Sequence, residues 1–391
     1  MYRNTRFTEL MKALPRQTVE KVVSEHKADK HSKGFRCWNQ LLAMIYAQVS
    51  GCQSLRELEA GFNSQEMHHY HLGCRTIKRS TLSDANKYRS SNVFADICEL
   101  LLKRGHKKVK SELSDLLYLL DSTPIPLVGL GYDEWAEAEK DNRIQGLKAH
   151  LTIASRSNTP VNLEITEPKI SDLEIGRKTE AEKGATYVFD RGYTDYNWWY
   201  RLHESGSVFV SRFKRNASLV VESYRPIEAG DEEMILEDTI VCFKNKHPGG
   251  GRVNHYYGTP LRKITVSRPD KDTPLIIATN DMTRSAGEIA QLYKQRWGIE
   301  LFFKWIKQNL KIKVFLGRSK NAVKIQIYSA IITYLLVQLY QRNFRQDVSL
   351  KMCLMSLRAT LFQRVETEWK REKKRRKKAL HYQSMQGVLA L

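Results

Sequence analysis

The stretch LYKQRWGIELFFKWIKQNLKIK, residues 292–313, has the spacing of an amphipathic helix. At about 100° per residue, its polar groups fall on one side of the helix axis, and most of its large apolar residues gather on a stripe that suits packing against a core. The polar side chains that share this face are Tyr293, Arg296, Glu300, Lys304 and Lys307. The pattern predicts one continuous helix with a charged face and a buried face.

A solvated face stabilised by charge pairs is the ordinary interpretation of such a helix. The second interpretation rests on the residues that surround the single carboxylate. Glu300 is surrounded by cations and a tyrosine, which suits a metal ligand placed beside a phosphodiester. Arginine offers bidentate contacts to a phosphate, and lysine offers a point charge. We therefore take Tyr293, Arg296, Lys304 and Lys307 as candidate phosphate-binding residues.

Two isolated aspartates follow apolar runs that are typical of buried strands. Asp121 lies in YLLDST and Asp190 in YVFDRGY. The apolar runs are expected to end at the rim of a sheet, although an aspartate after a strand is often only a turn or cap residue. Together with Glu300 these acids are expected to converge on one edge of the sheet. Arg191, directly after Asp190, is a further candidate for a phosphate contact.

Three converging carboxylates repel one another at neutral pH and therefore favour a divalent cation. Hard oxygen ligands select Mg²⁺, with Mn²⁺ as a substitute. Two such ions activate water or a 3′-hydroxyl on one side of a phosphodiester and stabilise the leaving oxygen on the other. Asp121, Asp190 and Glu300 are thus predicted as catalytic residues and ligands of two ions in phosphoryl transfer.

The composition favours a nucleic acid as partner. The chain has 391 residues and a formal net charge of +21, which points to a polyanion. Its six cysteines form no CxxC pair, so neither a zinc ribbon nor a disulfide framework is indicated, and a reducing cytoplasm fits. No signal peptide is apparent at the start, and the apolar run at residues 327–340 is interpreted as a buried helix. No membrane association is expected.

The sequence pattern divides the chain into five segments. Helical spacing predominates first, alternating strands follow, and Gly- and Pro-rich turns join short strands in the middle. The predicted segments are a helical DNA-binding domain (1–112), the first part of an α/β core (113–215), a β-rich insertion (216–268), the second part of the core (269–362) and a basic tail (363–391). Ordinary surface cations on a packing domain are the alternative for the first segment, and a solvated basic end is the alternative for the tail.

The residues around the three acids resemble the bacterial DDE transposases of the insertion-sequence-4 type. The third-acid region of that family has Tyr, two residues, Arg, three residues, Glu, six residues and Lys, which matches Tyr293, Arg296, Glu300 and Lys307. DST at Asp121 and DRGY at Asp190 look like its first and second acid regions. GLKAH, FVSRFK and the stretch FLGRSKNAVKIQIYSAIITYLLV also resemble family segments, so the resemblance covers roughly residues 110–345.

This resemblance implies an α/β fold: a ribonuclease-H-like mixed sheet flanked by helices, with a β-rich insertion and an all-α N-terminal domain. It also implies cut-and-paste transposition, with a homodimer on double-stranded DNA, cleavage at terminal inverted repeats, a hairpin at the element end and strand transfer into target DNA. Such a protein acts in the bacterial cytoplasm, associated with the nucleoid.

One departure from the family concerns base stacking. Hairpin-forming relatives stack a flipped base on a tryptophan of the insertion, yet no tryptophan lies between Trp199 and Trp297. Any aromatic face can stack a base. Tyr256, Tyr257 or Phe243 is then expected to serve.

Two other functions remain open from the sequence. A catalytically silent DNA-binding repressor or domesticated relative would share the basic charge and the helical front. A ribonuclease-H-like nuclease that cleaves DNA without strand transfer would share the fold and the metal site.

Overall fold

The computed structural model describes residues 4–138, 144–248, 251–269 and 272–365. Within these ranges the chain forms thirteen α-helices and nine strands. The helices are α1 (Arg6–Met11), α2 (Arg16–Glu25), α3 (Cys37–Ser50), α4 (Leu55–Asn63), α5 (His69–Leu72), α6 (Arg79–Tyr88), α7 (Asn92–Glu112), α8 (Asp172–Lys178), α9 (Tyr196–Glu204), α10 (Ala286–Gln295), α11 (Trp297–Asn309), α12 (Lys320–Phe344) and α13 (Leu350–Thr360). The strands are β1 (Leu117–Pro126), β2 (Gly146–Ala154), β3 (Thr159–Thr166), β4 (Thr186–Phe189), β5 (Val208–Arg212), β6 (Leu219–Tyr224), β7 (Ile235–Phe243), β8 (Leu261–Val266) and β9 (Leu275–Thr279).

All nine strands join one mixed sheet in the order β3-β2-β1-β4-β5-β9-β8-β7-β6. The pairs β1–β4 and β4–β5 are parallel, and the other neighbours are antiparallel. The predicted fold class is therefore confirmed: the first five strands form the ribonuclease-H-like mixed sheet, helices flank it, and the N-terminal part is all helical.

The predicted β-rich insertion forms no separate sheet. Strands β6, β7 and β8 extend the same sheet through β9. One apolar cluster continues from Phe189 and Trp199 of the core to Val241, Leu261 and Tyr256. Residues 216–268 therefore share a hydrophobic core with the strands before them, which the turn-rich sequence of this segment did not indicate.

The chain divides by packing into two units, which differs from the predicted segmentation. Among the described residues, one unit contains residues 4–83 together with residues 336–365, and the other contains the described part of Asp84–Leu335. In the first unit, helix α3 is buried along nearly its whole length, and Arg358 of α13 donates to the carbonyl of Val49 at 2.9 Å. Helix α13 lies at the end of the segment predicted as the second part of the core (269–362), but it packs with the N-terminal helices. Most of the predicted basic tail lies outside the described residues.

Helix α12 is the one described helix that is long and apolar enough to cross a membrane by length and composition. It extends further than the apolar run seen in the sequence, but 83% of its most apolar window is buried inside the protein. Val323 and Ile327 pack against Ile125 and Leu147 of the sheet. These contacts are those of a core helix, as the sequence predicted.

Candidate active site

Asp121 and Asp190 lie beside each other because their strands are parallel neighbours. The β1–β4 ladder pairs Leu120 with Phe189, and each aspartate is the next residue along its strand. Asp121 is not at the end of its strand, contrary to the sequence prediction. β1 continues to Pro126 because β2 pairs with it beyond the point where β4 stops. The acid therefore sits at the end of the parallel ladder rather than at the end of the strand.

Backbone amides fix both carboxylates. The Ser122 N–H donates to Asp121 Oδ1 at 2.8 Å, and the Gly192 N–H donates to Asp190 Oδ1 at 2.6 Å. A Cβ on Gly192 would lie 2.9 Å from Asp190 Oδ1, which explains the glycine in DRGY. Arg191, in the same 3₁₀ turn, is partly buried, and its side chain makes no ion pair with the described residues.

The predicted helix at residues 292–313 is two helices. α10 begins with a capping box of Ser285 and Glu288 and ends at Gln295, and α11 begins at Trp297 after a one-residue break at Arg296, whose backbone angles remain helical. Glycine at 298, in the first turn of α11, weakens the helical preference of this region. α11 packs on β1, and Arg296 connects Glu300 of α11 with Asp121 of that strand.

Arg296 joins two of the three predicted acids. Its Nη2 donates to Glu300 Oε1 at 2.6 Å, and its Nη1 lies 3.5 Å from Asp121 Oδ2. The sequence predicted a phosphate contact for this arginine and did not predict the ion pairs. In the protein by itself, the guanidinium supplies positive charge between the carboxylates.

Tyr293 is a buried member of the site. Its ring is 9% exposed, and its hydroxyl is hydrogen-bonded with Arg212 at the end of β5. Burial raises the pKa of Tyr293, and the nearby carboxylate of Asp190 raises it further against the opposing effect of Arg296. The tyrosine therefore contributes a neutral hydroxyl next to the second acid.

A cleft of about 440 Å³ opens over the first and third acids. Its walls are formed by Asp121, Ser122, Thr123, Glu300, Phe303, Lys304, Lys307, Gln308 and Lys313. Lys307 Nζ donates to Thr123 Oγ1 at 2.6 Å, and its burial together with the charge of Lys313 lowers its pKa. Lys304 is exposed at the mouth. The two lysines are placed where the sequence predicted cations near Glu300.

The surroundings of Asp121 disfavour its ionised form, mainly because the group is buried. Burial raises the pKa of Asp121 to about 6, the charges of Asp190 and Asp172 act in the same direction, and the Ser122 N–H and Arg296 oppose them. A group in this environment gains from an added cation.

A fourth acid, Asp172, was missed in the sequence. It is the first residue of α8, and its carboxylate lies 2.8 Å from Lys148 Nζ and 3.3 Å from His150 Nδ1. Burial by itself would raise the pKa of Asp172, but the contacts with His150, Lys148 and Ser122 outweigh it and lower the pKa to about 2. The sequence did contain one signal for the polar partners of Asp172. The alternation in GLKAH puts Lys148 and His150 on the same face of a buried strand.

The base-stacking prediction is corrected for two of its three residues. Tyr256 is fully buried, and its hydroxyl is 2.8 Å from His203 Nδ1. Phe243 packs in the same core at 5% exposure. Both rings belong to the apolar core that β6–β8 share with the rest of the sheet, so neither presents a face to DNA. Tyr257, at 46% exposure, is the one of the three with an accessible ring.

The donor set suits a hard divalent ion, but the side chains are not arranged around one. Within the described ranges, no three acidic, histidine or cysteine side chains are close enough together to hold one metal ion. The Arg296 guanidinium supplies positive charge to Asp121 and Glu300, as a bound metal ion would. The carboxylate oxygens of the three acids, and the raised pKa of the buried Asp121, fit a divalent metal ion once Arg296 releases Asp121 and Glu300.

Comparison with known proteins gives concordant matches. Residues 112–336 match the family model described as "Transposase DDE domain", and residues 2–75 match a domain of unknown function (DUF4372). A protein of Sinorhizobium fredii that is named as a transposase, y4zB, is 41% identical over 263 residues, which are 67% of this chain and 71% of that protein.

More distant relatives carry similar names. A protein of Geobacillus stearothermophilus named as a transposase of the insertion sequence element IS5377 is 23% identical over 84% of this chain and 88% of its own length. A protein of Synechocystis named as a transposase of the insertion sequence element IS4SA is 27% identical over 68% of this chain and 72% of its own length. The solved piggyBac transposase synaptic complex with hairpin DNA aligns with a TM-score of 0.46 at 11% identity, covering 90% of this chain and 77% of that one.

Proposed function

Since this chain belongs to the DDE transposases, a family of metal-dependent enzymes that act on DNA, we propose that it carries out cut-and-paste transposition of an insertion sequence. Asp121, Asp190 and Glu300 are the proposed catalytic acids. The observation that supports them best is their placement: two are adjacent at the end of the β1–β4 ladder, and the third is joined to Asp121 by Arg296.

The three acids are the proposed ligands of two Mg²⁺ ions, for which Mn²⁺ can substitute. When bound, such ions lower the pKa of the attacking hydroxyl and neutralise charge on the scissile phosphate. The chain's own part is to hold Asp121 and Asp190 through the Ser122 and Gly192 amides, while Arg296 is paired with Asp121 and Glu300.

The cations of the cleft are proposed to position the DNA backbone. Lys304 and Lys307 line the cleft beside Glu300, and Arg296 would exchange its carboxylate partners for a phosphate. Arg191 and Tyr293 flank Asp190 and complete the proposed phosphate-binding set. Arginine can contact two phosphate oxygens at once, which compensates for the loss of its ion pairs.

The DNA partners are proposed to be the terminal inverted repeats of the element and a target duplex, bound by a homodimer in the nucleoid-containing cytoplasm. The net charge of +21 supports binding to a polyanion. The helical N-terminal segment, residues 1–112, is the proposed site of sequence-specific contacts. If a hairpin forms at the element end, Tyr257 is the proposed stacking platform.

The test is a strand-cleavage assay. Purified protein is incubated with Mg²⁺ and a labelled duplex that carries the inverted repeat of its own element plus flanking DNA, and the products are resolved on denaturing gels. We expect a nick at the element end, a slow hairpin species and joined products with target DNA. Glu300→Gln should remove all three, whereas Glu99→Gln, at an exposed position of α7, should leave them unchanged.

The two alternative functions predict different results in this cleavage assay. Binding of the end without any metal-dependent break in the unmodified protein would favour the repressor. Cleavage that is never followed by joining would favour a nuclease without strand transfer. Retained cleavage in variants of all three acids would refute the proposed catalytic set.

A further inference from the structure

The carboxylate of Asp172 is the centre of a buried polar network next to the proposed catalytic acids. Its Oδ1 lies 2.8 Å from Lys148 Nζ and 3.3 Å from His150 Nδ1, and the Ser122 hydroxyl lies close enough to help lower the pKa of this carboxyl group. His150 is 2% exposed, and its Nε2 lies 3.0 Å from Thr166 Oγ1 on the next strand. The network therefore ties α8 to three neighbouring strands.

This network reaches both segments that carry catalytic aspartates. Ser122 follows Asp121, and its N–H donates to that carboxylate. On the other side, a Cβ on Gly192 would lie 3.4 Å from Asp172 Oδ2 and 2.9 Å from Asp190 Oδ1. The Asp172 carboxylate thus touches the residue after the first acid and packs against the turn that holds the second.

Helix capping does not account for Asp172. Ser171 already caps α8, because its side chain accepts the N–H of Glu174 at 3.2 Å. The aspartate instead points at Lys148 and His150, whose strand β2 is paired with β1 in register at Ser122 and Pro124.

Direct metal ligation does not account for it either. Asp172 Oδ1 is occupied by ion-pair contacts with Lys148 and His150, which places the residue to support the neighbouring acids rather than to serve as an open ligand. These contacts are not directed hydrogen bonds, since neither Asp172 Oδ1 nor His150 Nδ1 has a hydrogen-bond partner among the described residues. Residues that orient metal ligands in this way typically change metal affinity or activity by about 10–100-fold when they are altered.

We propose that Asp172 is a positioning residue for DNA cleavage, which sets the separation of Asp121 and Asp190 by holding Ser122 from one side and the Gly192 turn from the other. This role rests on the proposed function, since it assumes that the two aspartates bind the catalytic metal ions. Lys148 and His150 hold the Asp172 carboxylate in this position.

The test compares Asp172→Asn with the unmodified protein and with Glu174→Gln, a control on the exposed side of the same helix. Three quantities are measured: DNA affinity without metal, the single-turnover cleavage rate at saturating DNA, and Mn²⁺ binding followed by electron paramagnetic resonance. For Asp172→Asn we expect unchanged DNA affinity, and a cleavage rate and Mn²⁺ affinity that are each about tenfold lower or more. Glu174→Gln should match the unmodified protein.

A merely structural role would lower the melting temperature without changing Mn²⁺ affinity in the folded protein. A cleavage rate and Mn²⁺ affinity within about twofold of the unmodified values would overturn the proposal. Should Asp172→Asn not fold, Ser122→Ala removes one contact of the network and is judged by the same two quantities. Unmodified protein that binds Mn²⁺ but never cleaves would refute the proposed function, and the Mn²⁺ comparison would still decide the role of Asp172.

Discussion

Asp121, a proposed catalytic acid, lies where its ionised form is disfavoured. Its pKa is raised because the group is buried and lies near the charges of Asp190 and Asp172. The folded protein therefore holds this proton more tightly than the unfolded chain does. Its contribution to the free energy of unfolding is full below pH 4, falls as the pH rises to about 6, and is lost above that value.

Asp121→Asn should therefore be more stable than the unmodified protein at pH 7.5 and should have lost cleavage. A shift from the ordinary value of 3.8 to about 6 sets an upper limit of about 3 kcal/mol, at 1.4 kcal/mol per unit. Urea unfolding of both proteins at pH 4 and pH 7.5, without divalent ions, measures the difference. Equal stability of the two proteins at pH 7.5 would contradict the expected cost of ionising Asp121.

Arg296 should compete with metal ions for the carboxylates in the absence of DNA. Arg296→Ala frees Asp121 and Glu300, so we expect Mn²⁺ to bind the DNA-free protein about fivefold more tightly, which corresponds to roughly 1 kcal/mol for one half-buried ion pair. Isothermal titration with Mn²⁺ measures this affinity.

The matched control is Lys304→Ala, which removes a cation of the same cleft that is not paired with these acids. An equal gain in both variants would indicate a general charge effect instead of competition at Arg296. Cleavage should fall in Arg296→Ala, since the arginine is also a proposed phosphate contact.

At the level of helices and strands, a buried ion pair links the β6–β8 region to the rest of the core. Arg262 of β8 is 1% exposed and contacts both carboxylate oxygens of Asp238 on β7, at 2.8 and 2.6 Å. It also donates to the carbonyls of Asp281 and Arg284, just before α10. The arginine thus links the predicted insertion to the helix that precedes Arg296.

Asp238→Ala should lower the free energy of unfolding by about 3–5 kcal/mol, because it leaves the guanidinium buried without its counter-ion. Denaturant unfolding measures the change. Glu99→Ala is the matched control, since it breaks an exposed pair with Lys103 and should cost less than about 1 kcal/mol. Similar losses in both variants would show that burial of the Arg262 pair is not important for stability.

At the level of the whole molecule, charge governs the binding of DNA. The net charge of +21 includes eight cations within residues 370–378, a run that repels itself and is expected to bind a polyanion. Each phosphate contact contributes about 0.9 to the slope of log affinity against log salt concentration.

A chain that stops after residue 365 should show a slope shallower by about 2 or more, as expected for the loss of two or three phosphate contacts. Filter binding of a duplex between about 50 and 200 mM salt measures the slope. A full-length variant with the eight cations replaced by Gln separates charge from length, and it should behave like the shortened chain. An unchanged slope in both would support the alternative of a solvated basic end.

Much of the site was predictable because its signals are local in the chain. Apolar runs ending in Asp121 and Asp190, and the spacing of Tyr293, Arg296, Glu300 and Lys307, follow from strand and helix periodicity. The break at Arg296 and the burial of Tyr256 were not predictable in the same way. Both depend on which surface of the sheet each segment packs against, and this is not visible in a window of neighbouring residues.

The sequence by itself determined the mixed α/β fold class and the family, and it supplied the three acids that are proposed as catalytic. Only the tertiary structure decided that Asp121 and Asp190 are side by side, that Arg296 bridges Asp121 and Glu300, and that Asp172 lies behind the two aspartates. The physical reason is the range of the interactions. Periodicity and turn chemistry act over a few residues, whereas strand register and buried charge pairing are selected by contacts between segments that are distant in the chain.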